Sequence, residues 1–331
     1  MNDIINRKFF ILLVCLLVML LLPPVSQALD ESYLISTMTR VLIFAMAAIS
    51  LDLIVGYGAM VSFGHAAFVG LSAYVAAILS FHLNDGSALF GLSGGYRGTD
   101  QLISILLIAM LVAALVALLT GMISLRTYGI HFIMITLAFA QMLYFLFVSL
   151  DYYGGDDGLL MTARNQVPLI DTGNDSSFYY LCLAFLVLFV VFARRLVHSH
   201  FGRVLQGCKH NEQRMRALGF NTYWYRLTAY VIAAMGAAIA GVLLANKTEF
   251  VDPGLFSWHL SGELLVMVIL GGLGSIYGAV IGAVIYLLLE QVFSAYTEHW
   301  QFLLGPVLIA VVIFARHGIY GILQKRWSQN A

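Results

Sequence analysis

The most regular feature of the sequence is a series of long apolar runs separated by short polar stretches. Runs of about 20 residues have the length at which an α-helix crosses ~30 Å of hydrocarbon. They cover approximately residues 9–27, 34–55, 65–83, 102–125, 128–150, 177–195, 226–246 and 300–316. A further apolar region, 261–293, is broken by glycines at 271–275 and predicts a segment, a turn and a second segment. The pattern predicts an all-α, polytopic transmembrane helix bundle of about ten membrane segments in one domain, residues 1–331.

The composition supports a surface that faces lipid. Hydrophobic residues make up 61% of the 331 residues and charged residues only 10%, whereas soluble domains are roughly half apolar and about a quarter charged. The formal net charge is zero, which argues against a nucleic-acid-binding domain with its basic face. Cys15, Cys182 and Cys208 are far apart and predict neither a disulfide framework nor a zinc site.

The first apolar run has two interpretations. A basic pair at 7–8 precedes an apolar stretch that ends in two prolines, and residues 26–28 resemble the small-residue cleavage site of a signal peptide. We favour a retained N-terminal anchor, residues 1–27, because no soluble secreted domain follows. Both interpretations place the next part of the chain outside.

The distribution of basic residues predicts the orientation of the bundle. With the N-terminus in the cytoplasm, ten segments place 13 of the 17 lysines and arginines on the cytoplasmic side, as the positive-inside rule requires. These are Arg7, Lys8, Arg126, Arg194, Arg195, Arg203, Lys209, Arg214, Arg216, Arg226, Arg316, Lys325 and Arg326. A single span over 261–293 would put the basic C-terminus outside, so the charges support the glycine break. Both termini are predicted to be cytoplasmic.

Two glycine-rich interruptions in opposite halves of the chain carry the first functional signal. The first reads GYGAMVSFGH (56–65) and is expected to open a helix at Ser62, with its hydroxyl as the N-cap. The second reads GGLGSIYG (271–278). Such a pair points to a midplane binding site built on an internal repeat. For the first stretch, a tight cytoplasmic turn before a capped helix is the alternative.

Polar residues and glycines in these stretches and in nearby spans are the candidate substrate contacts, because broken helix ends offer N–H groups to an anionic ligand. The candidates are Asp52, Ser62, Gly64, His65, Gln141, Gly271, Gly272, Gly274 and Ser275. Intramembrane charges such as Glu263 and Glu290, like His131, contact substrate or pair with a neighbouring helix. The spacing of Gly274, Gly278 and Gly282 favours close helix packing.

The hydrophilic stretches suggest contacts outside the membrane. The basic cytoplasmic stretch 196–225 predicts a short helix from Asn211 to Leu218 that ends at Gly219. It suits lipid head groups or a docking partner, and we favour docking because a simple connection would be shorter. On the outer side, the adjacent carboxylates of Asp156 and Asp157 suit a substrate ammonium, a docking protein or an ordinary turn.

Several catalytic motifs are absent from the sequence. No lysine follows a glycine, so the chain lacks a phosphate-binding loop and is not expected to hydrolyse ATP. Neither His-Glu-x-x-His nor Gly-x-Ser-x-Gly occurs. The sequence therefore favours a transport component over a membrane enzyme.

Four blocks of the sequence resemble the LivM-type permeases of the branched-chain amino acid ABC transporters. They occur in the family's order over nearly the whole chain. The blocks are LDLIVGYGAMVSFGHAAFVGLSAYVAAIL (51–79), LRTYGIHFIMITLAFAQ (125–141) with GGDDGL (154–159), FGRVLQGCKHNEQRMRALGFNTYWYRLTAYVIAAMGAAIAGVLLA (201–245) and GGLGSIYGAVIGAVI (271–285). Asp52 departs from the asparagine expected in many members, which affects either substrate preference or the helix interface.

The resemblance implies a heteromeric importer in a bacterial inner membrane. The implied partners are a second, LivH-type permease, two ATP-binding subunits and an external solute-binding protein, besides membrane lipid. ATP and Mg would be bound by the partner subunits, with no cofactor or metal in this chain. The resemblance also implies a coupling helix within 201–219 that docks on an ATP-binding subunit. Its candidate residues are Gly202, Arg203, Asn211, Glu212, Ala217 and Gly219.

The sequence is also compatible with other transport functions. Within the same family, the solute could be urea, a short amide, or an aromatic or dicarboxylic acid. An ion-coupled secondary transporter would also show broken helices and intramembrane acids, but it would need no docking helix and would work alone.

Overall fold

The computed structural model describes residues 17–27, 32–87, 98–168, 170–297, 299–314 and 318–321. The helices are α1 (Leu17–Gln27), α2 (Ser32–Val55), α3 (His65–Asp85), α4 (Leu102–Ser124), α5 (Ile130–Val148), α6 (Asp175–His198), α7 (His200–His210), α8 (Glu212–Ala217), α9 (Thr222–Thr248), α10 (Trp258–Gly271), α11 (Ile276–Tyr296) and α12 (Trp300–Phe314). The predicted all-α bundle is confirmed.

The lengths of these helices agree with the apolar runs. Among the described residues, seven helices are long and apolar enough to cross a membrane, and α10 and two other apolar helices are shorter. The apolar region 261–293 divides into α10 and α11 around Gly272, as its glycines predicted. The count of about ten segments is therefore a fair approximation.

The centre of the bundle is formed by α2, α3 and α9. Nearly every residue from Val41 to Val55 is buried, and so are most residues of α3. Alanine and glycine on α9 let its backbone approach its neighbours: a Cβ added at Gly241 would collide with Val69 O of α3. Outside this core, α4 and α5 expose most of their apolar surface.

The glycine stripe of α11 packs directly against α10. A Cβ added at Gly278 would lie 2.9 Å from Gly271 O, and one added at Gly282 would collide with Met267 O. Backbone approach of this kind is what small residues at every fourth position permit. The packing interpretation of the stripe is confirmed.

A small polar layer covers one end of the bundle. Two short strands, β1 (Leu159–Leu160) and β2 (Phe250–Val251), pair antiparallel there. Arg164 joins them to α6 through an ion pair with Asp175 (2.6 Å). The exposed pair Asp156 and Asp157 belongs to this layer, in a 3₁₀ turn.

The opposite end of the bundle gathers both glycine interruptions, α7 and α8. Lys209 of α7 bonds to Gly56, and Gly56 lies against Gly274. This grouping agrees with the threading that the basic residues predicted. Which end faces the cytoplasm stays a prediction from the charges. The basic pair at 7–8 and the basic residues at 316, 325 and 326 lie outside the described residues.

Candidate functional site

The first interruption, residues 56–64, is an irregular segment in which buried residues alternate with partly exposed ones. Ser62 and His65 have no exposed surface. The His65 Nε2 atom lies 2.7 Å from the Ser50 hydroxyl of α2, and a Cβ on Gly64 would lie 2.5 Å from Thr136 O of α5. Neighbouring helices thus surround this irregular backbone on several sides, as burial of peptide groups without helical hydrogen bonds demands. The segment therefore connects α2 to α3 at the end of the bundle that also carries α7 and α8.

The expected N-cap at Ser62 is wrong. Helix α3 begins at His65 with Gly64 as its N-cap residue, and the Ser62 hydroxyl accepts the Gly64 amide, at 3.2 Å, outside the helix. The amide of Ala66 instead donates to the Ser261 hydroxyl of α10, at 3.0 Å. A buried helix start needs an acceptor from somewhere, and here a distant helix supplies it.

Replacement of Ser261 by alanine should therefore destabilise the start of α3. It would leave a buried N–H without a partner, at a cost on the order of 1–2 kcal/mol. The measurement is thermal unfolding of the purified protein in detergent. Ser294→Ala is the matched control, because that exposed hydroxyl bonds only to Gln291 O of its own helix. Equal unfolding curves for the two variants would contradict the assignment of Ser261 as the cap.

The second interruption meets the first through Asp52. The Oδ1 atom of Asp52, in the last turn of α2, accepts the amide of Gly274 at 2.8 Å. Ser275 is the N-cap of α11, and its hydroxyl accepts the Gly278 amide at 3.1 Å. The N-terminus of α11 is thus already occupied by a carboxylate of the protein itself, which is the group that a helix start attracts.

The backbones of the two interruptions also touch. A Cβ on Gly56 would collide with the Gly274 amide and lie 2.7 Å from Gly274 Cα. Gly271 and Gly272 are buried beside this contact, whereas Ser275 is partly exposed. The structure therefore brings Asp52 together with the second interruption, whereas the candidates at 62–65 contact other parts of α2, α5 and their own segment.

Gln141 is separate from this cluster. It is a half-buried residue of α5, and within the described ranges no residue hydrogen-bonds its amide. His131, on the first turn of α5, is exposed. Neither contributes to the meeting point of the interruptions.

The other two intramembrane acids, Glu263 and Glu290, lie near Arg40 of α2. The Glu290 carboxylate of α11 accepts a hydrogen bond from the Arg40 guanidinium of α2 at 3.0 Å. Glu290 therefore pairs with a neighbouring helix. Glu263 of α10 interacts electrostatically with both of these residues. One arginine between two acids lowers the cost of keeping charge in the bundle.

The basic stretch 196–225 is more ordered than the sequence indicated. Besides the expected short helix, α8, it contains the eleven-residue helix α7. Gly202 permits the tight entry to α7, because a Cβ there would collide with the carbonyl oxygens of Leu196 and Val197. Arg203 is exposed, and its guanidinium lies 3.4 Å from His200 Nδ1.

Helix α8 has the boundaries that its sequence predicted. The Asn211 side chain caps it by accepting the Arg214 amide at 2.9 Å. Ala217 is the exposed last residue of the helix. Gly219 follows with φ +89° and donates its amide to Arg216 O at 2.9 Å.

Gly219→Ala should loosen the end of α8. An added Cβ would touch nothing, so the cost comes from the left-handed backbone alone, about 1–2 kcal/mol for an L-residue. We expect hydrogen exchange over 212–219 to accelerate about tenfold. Gly305→Ala, which also meets open space, should leave this exchange unchanged. An unchanged rate in Gly219→Ala would contradict the left-handed cap.

Glu212 anchors α8 to the rest of the chain. Its carboxylate bonds to Arg226 (2.8 Å), Arg216 (2.6 Å) and the Thr222 hydroxyl (2.9 Å), and only 19% of its side chain is exposed. Partial burial raises the pKa of Glu212, but the Thr222 hydrogen bond and the two arginines outweigh it and hold the pKa below its ordinary value. Glu212 therefore positions α8 from inside, and other residues form its outer surface.

The sequence contains no signal for several of these side-chain contacts. Ser50, Ser261 and Thr222 are single hydroxyl residues in helices, and only the folded chain shows what they touch. One feature of the sequence distinguishes Lys209: it is a lone lysine in a stretch otherwise rich in arginine and histidine.

Comparisons with known proteins agree with this architecture. A family model described as branched-chain amino acid transport system, permease component, matches residues 33–312. The permease protein LivM of the high-affinity branched-chain amino acid transport system of Salmonella typhimurium is 25% identical over 314 residues, 86% of this chain and 69% of that protein. Its Escherichia coli counterpart is 27% identical over 305 residues, 85% and 68%. The permease protein LivH of E. coli is 34% identical over 127 residues, 38% and 41%. No solved structure matches the chain significantly.

Proposed function

Since the chain belongs to the family of branched-chain amino acid transport permeases and is a permease subunit of an amino acid importer, we propose that separate ATP-binding subunits drive its transport cycle. The substrate would be a branched-chain or chemically related amino acid. The observation that carries the proposal is the coincidence of a family match over residues 33–312 with a capped, anchored helix, α8, at the end of the bundle that is predicted to be cytoplasmic.

The outer surface of α8 and the residues after it suit a docking partner. Leu218 is 65% exposed and Trp224 56% exposed, beside the exposed cations Arg214 and Arg216. Exposed apolar residues ringed by charge mark interaction surfaces. We assign this surface to an ATP-binding subunit, with α8 as the coupling helix.

The chain works as a permease subunit together with a second permease. LivH proteins resemble only part of it, which fits two related but unequal subunits. The largely exposed apolar faces of α4 and α5 leave room for that second subunit as well as for lipid. A solute-binding protein would deliver the amino acid at the end that carries β1 and β2.

The site supports a passive role in alternating access. Closure of the ATP-binding subunits would push α8, and the bundle would respond by opening to one side and then to the other. Asp52 and Ser261 already occupy the Gly274 and Ala66 amides in this conformation. A substrate carboxylate would therefore bind these helix ends only in a conformation that releases them.

ATP and Mg would be bound by the partner subunits. The sequence has no phosphate-binding loop, and in the part of the chain that the structure describes no cluster of His, Cys, Asp or Glu could hold a metal ion. The chain is a multi-pass membrane protein, and we place it in the bacterial inner membrane from its family. We place both termini in the cytoplasm from the excess of basic residues on one side.

Uptake into proteoliposomes tests the proposal. The chain is reconstituted alone, with its second permease, and with both permeases, the ATP-binding subunits and the solute-binding protein, and entry of radiolabelled leucine is measured with and without ATP. We expect uptake only in the complete assembly with ATP. Competition by valine, phenylalanine, glutamate and urea then distinguishes the solute classes. Leucine entry driven by an ion gradient in liposomes that hold the chain alone would identify an ion-coupled carrier instead.

A further inference from the structure

The Asp52 carboxyl has a second oxygen that its visible hydrogen bond does not use. The residue is 1% exposed, and its Oδ1 atom accepts the Gly274 amide. Its Oδ2 atom is buried without a hydrogen-bond partner among the described residues. An asparagine would make the same bond to Gly274 without the cost of a buried charge. The second oxygen therefore points to a partner that it meets in another conformation.

Lys209 brings a cation to the backbone that follows Asp52. It is an exposed residue of the last turn of α7, and its Nζ atom donates to Gly56 O at 2.5 Å. Gly56 is one helical turn beyond Asp52, and its amide donates to Asp52 O at 2.7 Å. The Lys209 ammonium also interacts electrostatically with the Asp52 carboxylate. One side chain of the cytoplasmic helices thus reaches the point where the two interruptions meet.

A single residue connects α8 to α7. Asn211 is both the residue that ends α7 and the N-cap of α8, so a displacement of α8 moves Lys209 with it. On the other side, Asp52 bonds to Gly274, the residue before the N-cap of α11. A change at Asp52 therefore acts on α2 and α11 together.

We propose that Lys209 and Asp52 form a positioning pair, in which the lysine ammonium moves from Gly56 O to Asp52 Oδ2 when α7 and α8 are displaced. In each position the ammonium has an oxygen acceptor, so the Lys209 side chain has two discrete arrangements. In the second arrangement the buried carboxylate gains a cation, and its hold on the Gly274 amide weakens. The inference rests on the proposed function, because it names how movement of the docking helix reaches the interruptions.

The test is the number of leucine molecules transported per ATP hydrolysed by the complete reconstituted complex. We expect Asp52→Asn and Lys209→Met each to lower this ratio about tenfold, while complex assembly and ATP hydrolysis persist. The double variant should be no worse than either single variant, because residues that act as a unit are not additive. Lys209→Arg should restore part of the ratio. His210→Gln, an exposed neighbour on the same turn, is the control and should match the unchanged complex.

Failure of the inference is distinguishable from failure of the proposed function. If the unchanged complex imports leucine with ATP but Lys209→Met keeps a normal ratio, the positioning pair is overturned and the proposed function stands. Additive losses in the double variant would also overturn the pair. Should Asp52→Asn impair assembly, the exposed Lys209 variants still decide, since they remove no buried group. If the unchanged complex shows no ATP-driven import, the proposed function itself fails.

Discussion

Replacing Gly56 with alanine should abolish transport. The added Cβ would collide with Asp52 Oδ1 and with the backbone of Gly274, and backbone cannot turn aside as the end of a flexible side chain can. The two glycine interruptions would have to separate, at a cost on the order of 3 kcal/mol. That energy corresponds to roughly a hundredfold, which is the fall that we expect in ATP-driven leucine uptake at equal protein levels.

Gly262→Ala is the matched control for this prediction. Gly262 is on α10, close in sequence to the second interruption, but an added Cβ would have only Phe63 Cε1 near it, at 3.9 Å. This variant should transport normally, since the new methyl group makes an ordinary van der Waals contact. Normal uptake by Gly56→Ala would show that the contact between the interruptions is unimportant for transport.

Glu212→Gln should uncouple the chain from its ATP-binding subunits. The substitution removes the charge that pairs with Arg216 and Arg226, and it leaves Arg226, whose side chain is only 13% exposed, without its ion pair. Loss of one hydrogen bond to a charged group costs about 1.5–3 kcal/mol, so α8 should detach from the start of α9. We expect roughly tenfold less leucine uptake and weaker retention of the ATP-binding subunits.

Asp85→Asn is the control for the Glu212→Gln prediction, because it also replaces a carboxylate by its amide. Asp85 at the end of α3 is exposed, and Asp85→Asn should leave uptake and subunit retention unchanged. If Glu212→Gln also retained both, Glu212 would be an incidental surface charge and not the anchor of α8.

Acid should release the same anchor. Because the folded-state pKa of Glu212 lies below its ordinary value of 4.5, its ion pairs stabilise α8 at neutral pH. That stabilisation declines as the pH falls from 4.5 through the lowered pKa. Hydrogen exchange over 212–217, corrected for its intrinsic pH dependence, should be slow from pH 8 to pH 6 and accelerate below about pH 4.5. In Glu212→Gln it should be fast throughout, and protection in that variant at neutral pH would contradict the account.

The membrane segments could be predicted from the sequence because lipid imposes a local rule. An apolar run of sufficient length forms a helix whatever its neighbours are, and glycine breaks it within the same run. The division of 261–293 into α10 and α11 and the termination at Gly219 both follow from residues adjacent in the chain. Helix α8 was predictable because its start signal is also local: it is Asn211, the residue before its first turn.

The contacts between distant segments could not be predicted. Ser62 has the right residue type and position for an N-cap, but the hydroxyl that caps α3 belongs to Ser261, 195 positions after the Ala66 amide that it accepts. Asp52 and Gly274 are separated by 222 positions. The sequence identified both interruptions but contained no signal that they touch, because that contact depends on how α2, α10 and α11 pack.

The central claim is that the chain is a permease moved by separate ATPase subunits, and its most direct test is purification from native membranes in mild detergent with mass spectrometry of what remains bound. We predict recovery of a second permease and of ATP-binding subunits, with the ATP-binding subunits reduced in Glu212→Gln and Gly219→Ala. Recovery of the chain alone, together with uptake of leucine by that isolated chain without ATP, would contradict the account.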